Sequence, residues 1–455
     1  MATHDHLINR RSVLGLAAAG SVSALASGVS RGDTAATTPI NNLLSPDGMR
    51  MSADEAARVM RMLNIDALVL GDGRNFQYAT GFRPVLSKMG LPPLNLAIVT
   101  AADPTRVTLV MAGFSYYYTA ADGARFSDDD VFLYGASSDA DSDAALEAIV
   151  LQNRGETALR TIEEERLTYT RQLIDRSSIS MDIGEALLSA LKKSNLIGKR
   201  IAYDSQGVAN VLTEHSVDAK LVDADDALRR IRTIKSPVEI ELMKQSSRVN
   251  VEAAHAALSR CGPGVSHKEL RASYYSEVAL RGGQGVFMVI DHVSDEQHDA
   301  TLTDGQAFLI DCVCDTEGYL GDYGRTVFIG EPRKSARDAQ RAVAHAWPRV
   351  REALKPGIKF SEIRALGQRV MRENGIRYRV PFNPHSVGMY HTDHFGNGSS
   401  PPREDIVLRP GMTLSVDCPI LHSGYGGSVH LEDLVVITEQ GSEPLHAIGD
   451  SVIQI

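Results

Sequence analysis

Residues 308–326 read FLIDCVCDTEGYLGDYGRT, which sets two cysteines and three aspartates in one short apolar segment. A Cys-x-Cys pair points to zinc or redox chemistry, whereas spaced aspartates point to a harder cation held by oxygen. Strand alternation separates the two possibilities. In a strand, Asp311 and Asp315 share a face with Val313, while Cys312 and Cys314 share the opposite one. The cysteines then read as small apolar packing behind a carboxylate face. The same alternation turns Cys418 away from Asp417. Of the four cysteines, at 261, 312, 314 and 418, two lie only two residues apart on a strand, where they cannot easily bridge each other. No obligatory disulfide is expected.

Further acids lie downstream of that segment. Asp311 falls in "AFLIDCV" and Asp322 eleven residues later, just after the turn "TEGYLG". With 57 acids in 455 residues, such a pair alone carries little weight. The chain continues with "NPHSVGMYHTDH", "LRPGMTLSVDCPI" and "GGSVHLEDLVVITEQG", and the last two place Asp417 and Glu432 inside apolar strands. An ionised carboxylate buried alone costs several kcal/mol. Each must therefore be paired, protonated or metal-bound. Taken singly, Asp311 and Asp417 could cap turns, Glu432 could pair with Arg325, and His385 could be a hydrogen-bonded core histidine. Taken together, four carboxylates and one imidazole suit a metal site. One nitrogen among oxygens favours borderline-hard divalent metal, Mn, Co, Zn or Fe(II), over a thiolate centre.

The order Asp311, Asp322, His385, Asp417, Glu432, set in "LIDCVCDTEGYLGDYGRT", "HSVG", "LRPGMTLSVDCP" and "VHLEDLVVIT", resembles the pita-bread metalloenzyme family of methionine aminopeptidase, prolidase, Xaa-Pro aminopeptidase and creatinase. Upstream, "LNIDALVLGDGRNFQYATGF" and "IRTIKSPVEIELMK" resemble the opening and the junction of its two-domain members, so the likeness runs from about Met51 to the C-terminus. The resemblance implies an α/β (α+β) fold: a creatinase-type N-terminal α/β domain at 49–230, then a pita-bread catalytic domain at 231–455 with a curved antiparallel sheet and covering helices. It implies that Asp311 binds one metal, Asp322 and Glu432 bridge two, and His385 and Asp417 hold the second. Two such ions can hold a bridging water and polarise a scissile carbonyl. The implied activity is metal-dependent hydrolysis of a peptide-type C–N bond in a small peptide, as in Xaa-Pro dipeptidases and aminopeptidases. It also implies a histidine near the leaving group, His298 or His292, a substrate-side histidine, His391 or His394, and a homodimer.

Three departures from the family pattern bear on substrate and metal. Asp417 stands where the peptidases carry Glu, so a mononuclear site remains open. His391 and His394 lie six and nine residues after His385, where the family spacing is seven. His430 replaces the arginine of the prolidase "RxE", where a substrate carboxylate contact is expected. These departures keep open a creatinase-like hydrolase or lyase of a small amino-acid derivative, and a non-catalytic binding module on the same fold.

The first 26 residues place Arg10-Arg11-Ser12 before "VLGLAAAGSVSALA", which resembles a twin-arginine export signal with a small-residue cleavage site. The apolar run is shorter than the ~20 residues that span a bilayer. With a polar linker over 27–48, the expected location is the periplasm, with no membrane attachment in the mature form. A net charge of −10 without a basic run argues against nucleic acid as a partner. Periodicity predicts a helix over 51–63, strands in "NIDALVLGD", "LNLAIVT", "RVTLVMAG" and "DVFLYG", a helix and strand in "IGEALLSALKKSNLIGKRIAYD", and a long helix started by Ser236-Pro237.

Overall fold

The first helix, Ala53–Met62, begins where the Ser52 hydroxyl accepts the backbone N–H of Glu55, and it buries Ala56, Val59 and Met60. A computed structural model describes residues 49–455 apart from 82, 121–129, 137–140, 150–156, 177–178, 294, 396–403 and 422–425. The expected export signal and linker at 1–48 lie outside the described residues.

The apolar run after this helix forms β1 (Ala67–Gly71), buried along its whole length. It joins β2 (Asn95–Thr100), β3 (Val107–Ala112), β4 (Val131–Tyr134), β5 (Arg200–Tyr203) and β6 (Lys220–Asp223) in a six-stranded sheet of order β4-β3-β2-β1-β5-β6. β1–β2 and β2–β3 are antiparallel; the remaining neighbours are parallel. β1, β2 and β3, buried on both faces, read as continuous apolar runs and were legible in the sequence, whereas β6, exposed at both ends, was not.

Ser236 and Glu239 close a capping box at the start of the 22-residue helix Pro237–Leu258, with Pro237 at its first turn. This helix and His267–Leu280 pack on a five-stranded sheet made of β7 (Gln284–Ile290), β8 (Ala307–Thr316), β9 (Tyr319–Phe328), β12 (Glu432–Asp433) and β15 (Val452–Gln454). A second sheet of order β10-β11-β13-β14 comprises Asn383–His385, Thr413–Asp417, Val435–Ile437 and Ser442–Pro444. Its core is completed by the helices Lys334–Ala353 and Phe360–Glu373. Apart from β15, which runs parallel to β9, both sheets are antiparallel.

Residues 308–326 lie in the β8–β9 hairpin. Glu317 and Gly318, at φ +51° and +88°, make its two-residue turn between the paired Thr316 and Tyr319. Cys312 and Cys314 face the helices, in a cluster with Val249, Ala253, Tyr274 and Tyr323, while Val313 belongs to a different core. All four cysteines are buried and free.

One apolar cluster runs from Met49, Val59 and Leu68 through Ile231 and Leu242 to Tyr319, Met389 and Leu434, so the six-stranded sheet's core is continuous with residues behind the hairpin. Among the described residues, no helix is long and apolar enough to cross a membrane.

Candidate metal centre

The hairpin register sets the acids side by side. Asp311 on β8 pairs across to Gly324 on β9, Gly324 pairs across to Glu432 on β12, and Asp322 faces Val313 on the same hairpin. On the second sheet, His385 and Asp417 enter from neighbouring strands, with Asn383 opposite Asp417 and His385 opposite Ser415. The five expected ligands therefore come together at the meeting of two sheets.

His385 is the hub. Its Nε2 lies 3.4 Å from Asp417 Oδ2, 3.4 Å from Glu432 Oε1 and 3.7 Å from Asp322 Oδ2. Its Nδ1 is 3.0 Å from the His391 carbonyl. A carbonyl can only accept, so the Nδ1 proton is spent there and Nε2 is left facing the acids, the arrangement found in metal-ligating histidines. Two further imidazoles complete the cluster. His391 Nε2 lies 3.7 Å from Asp322 Oδ2, and His430 Nε2 lies 3.0 Å from Glu432 Oε2. The donor atoms form two groups, Asp322 with His385 and His391, and Asp311 with Asp417, His430 and Glu432, each within 4.8 Å of one another.

Burial and mutual repulsion disturb every carboxylate. Burial, followed by the Glu432 charge, pushes Asp311 up to about 7 and Asp417 up to about 6, and raises Asp322 well above the carboxylate range. Burial would also raise Glu432, yet hydrogen bonds with His385 and His430 hold it well below its ordinary value. His385 shows the converse: burial opposes its charge, but Glu432, Asp417 and Asp322 push it up to about 10. Protein partners still leave acceptors unmatched. Both carboxylate oxygens of Asp322 and Oδ1 of Asp311 are buried without a hydrogen bond. Acceptor-only atoms packed together in this way call for cations, so the donor set fits divalent metal ions.

The remaining candidates fall on either side of the centre. His391 is one-third exposed, and burial with the nearby His385 charge lowers it to about 4, so it is neutral at pH 7. His394 sits behind the centre. Its Nδ1 accepts the Ser386 backbone N–H at 3.3 Å and its ring packs edge-on against Phe360. His298 is exposed, and no hydrogen bond or ion pair joins it to the cluster. His292, also exposed, pairs with Asp291 at 2.9 Å.

Sequence reasoning named His430 only as a departure from the family pattern, and the structure places it inside the cluster. The signal was available: His430 and Glu432 are two apart on an extended segment and share a face. Asp315 gains an account too. It receives Arg74 at 2.7 Å and the Gly318 N–H at 2.7 Å, so it ties the hairpin turn to the N-terminal half rather than joining the cluster. Arg325 neutralises Asp433 at 2.6 Å; to Glu432 it offers only a bond to the backbone carbonyl. Trp347 is buried and donates to Asp433 at 2.6 Å.

Arg74 and Arg229 of the N-terminal half, together with Arg232 just past the expected boundary, steady the loop between His385 and His394. Arg232 pairs with Asp393 at 2.8 Å, Arg229 donates to the Thr392 carbonyl, and Arg74 donates to that of Met389. Arg74 and Arg232 both stack on Tyr390.

Residues 241–439 match the model of metallopeptidase family M24. The chain is 29% identical over 234 residues to a probable dipeptidase PepE of Mycobacterium tuberculosis, covering 48% of this chain and 60% of that protein. A Xaa-Pro dipeptidase of Pyrococcus furiosus is 26% identical over 234 residues, 49% of this chain and 65% of its own length. The match thus spans somewhat less than two-thirds of these relatives. In structure, the prolidase from Pyrococcus horikoshii aligns over 88% of this chain and 99% of its own with a TM-score of 0.62 at 19% identity. A Xaa-Pro dipeptidase from Bacillus anthracis gives the same TM-score over 89% of this chain at 18% identity. These likenesses establish the fold.

Proposed function

We propose that this chain is a metal-dependent hydrolase that cleaves the C–N bond of small peptides, with Xaa-Pro dipeptides as the leading substrates. The observation that carries this reading is the pair of buried Asp322 oxygens, unmatched by any protein donor and set among three more carboxylates. Asp311, Asp322, His385, Asp417 and Glu432 would hold one or two divalent ions, with Mn, Co, Zn and Fe(II) the candidates for this mixed oxygen and nitrogen set. Bound there, such ions supply Lewis acidity and a water acidified toward neutral pH.

The protein's own part is positioning and proton handling. His391, neutral and partly exposed beside Asp322, can hold or pass a proton at Nε2 facing the substrate. Its loop is braced by Arg74, Arg229 and Arg232, so the N-terminal half contributes to the placement of this group. Similarity to proteins named as dipeptidases and Xaa-Pro dipeptidases supports the peptide substrate. The twin arginine and small-residue run support export to the periplasm, and a homodimer is part of the same proposal, resting on resemblance.

The test is metal analysis of purified protein together with hydrolysis of a panel of Xaa-Pro dipeptides. Bound divalent metal and turnover of at least one dipeptide are expected. No metal and no turnover would defeat the reading.

A further inference from the structure

We propose that His430 is itself a metal ligand, giving the Asp311 side of the centre its own imidazole nitrogen; this rests on the metal-centre reading above. Placement comes first. The His430 ring lies over Gly324, the β9 residue that stands between Asp311 and Glu432 in the register, and a Cβ at Gly324 would collide with that ring. The glycine therefore makes the space that the imidazole fills. Thr326 fixes the backbone beside it, its hydroxyl accepting the His430 N–H and donating to the His430 carbonyl, each at 2.9 Å.

Donor geometry comes next. Nε2 of His430 is 3.0 Å from Glu432 Oε2 and 3.9 Å from Asp417 Oδ1, within a group whose ligand atoms, Asp311 included, lie within 4.8 Å of one another. Donors 3.0 and 3.9 Å apart can share an ion at about 2.0–2.2 Å from each. The ring is buried, and its Nδ1 has no hydrogen-bond partner; its polar neighbour there is the Cys418 thiol, which donates to the Leu431 carbonyl at 2.8 Å. Without an ion, Nε2–H can donate to Glu432; with one bound, the ring proton would sit on Nδ1 and the Nε2 lone pair would face the ion.

Charge and reach supply the reason for an imidazole here. Asp417 is a short arm, divided between His385 at 3.4 Å and His430 at 3.9 Å. Four carboxylates already balance two divalent ions, so a further donor is best neutral. His430 adds a bond without adding a fifth negative charge. Nitrogen on both sides of the centre also biases selection toward Co(II), Zn and Fe(II) and away from Mn(II).

The experiment compares full-length wild type with His430→Gln and His430→Asn, stripped by chelator, checked for fold by circular dichroism, and reconstituted with Co(II). Metal equivalents, Co(II) affinity and the imidazole count from X-ray absorption are read. The wild type should show imidazole on both ions. Each variant should lose one imidazole, bind its weaker Co(II) at least about 10-fold less tightly, and lose part of its preference for Co(II) over Mn(II). Free imidazole should restore binding to His430→Gly. An unchanged imidazole count with affinity within about twofold of wild type would overturn the proposal and leave His430 a hydrogen-bond partner of Glu432, with the metal centre intact. Wild type that binds no Co(II) would remove the metal-centre reading as well. Should the variants fail to fold, the wild-type spectrum decides, since imidazole on only one of two ions contradicts the proposal.

Discussion

Glu432 and Asp433 are adjacent, fully buried and on the same short strand, yet their surroundings differ completely. Asp433 is satisfied by the protein: Arg325 reaches one oxygen at 2.6 Å and the Trp347 indole the other at 2.6 Å. Arg325 is itself held over the Tyr323 ring and by three backbone carbonyls. Glu432 faces the other way, into Asp311, Asp322 and Asp417, where three imidazoles must serve four carboxylates and buried oxygens stay unmatched. Burial alone does not separate a structural acid from a functional one. The separation lies in whether the chain supplies the counter-charge.

The largest expected effect breaks the functional side. Asp322→Ala and Glu432→Ala should each lower hydrolysis by at least about 100-fold, more than loss of an outer hydrogen-bond partner costs, with metal content falling in parallel. Full rate in either variant would refute the ligand assignment. On the structural side, Asp433→Ala leaves Arg325 buried without its partner and should cost about 3–5 kcal/mol by denaturant titration. Asp322→Asn should do the reverse in chelator-stripped protein and raise Tm at neutral pH, because burial raises the Asp322 carboxyl well above its ordinary range and folding must protonate it, whereas the amide is neutral in both states. The same sign for both changes would erase the distinction drawn between the two acids.

Arg232→Ala tests the junction, where Arg232 and Asp393 form a buried pair beside Lys235 and Ser386. It should destabilise by up to about 3–5 kcal/mol and also slow turnover, since Asp393 belongs to the loop that carries His391. Stability loss with turnover per folded molecule unchanged would show that the loop needs no such brace.

Glu239 gives a pH signature in the same region. Burial raises it to about 7, only partly offset by Lys235. The folded state therefore holds this proton more tightly than the unfolded chain, whose value is near 4.5. The associated stability is complete below pH 4.5 and is lost as pH rises through 7. Glu239→Gln should flatten that part of the stability profile, and an unchanged slope would contradict the assignment. The smallest effect expected is that of reductant: with four free buried thiols, dithiothreitol should leave Tm unchanged.

The carboxylate face is legible in the sequence because period-two alternation separates Asp311 and Asp315 from Cys312 and Cys314. The capping box at Ser236 and the buried strands of the first sheet were legible for a similar reason, since they are local patterns. The partners brought together by folding were not. Arg74 meets Asp315 across 241 residues and Arg232 meets Asp393 across 161, and no local pattern encodes either pair. His430 is legible as a donor from its two-residue spacing to Glu432 on an extended segment. The six- and nine-residue histidine spacings are separated by three-dimensional placement, which brings His391 to the acids and sends His394 to a backbone N–H.

The central claim is that the cluster's unmatched oxygens are held for metal. The most direct measurement is the melting temperature of chelator-stripped protein titrated with Co(II), Mn(II) or Zn(II), in wild type and Asp322→Ala. A ligand bound only by the folded state at 100 times its Kd stabilises by about 2.7 kcal/mol. Wild-type Tm should therefore rise by several degrees with at least one of these ions and fall again with chelator, while Asp322→Ala responds far less. A wild-type Tm indifferent to all three ions would contradict the account.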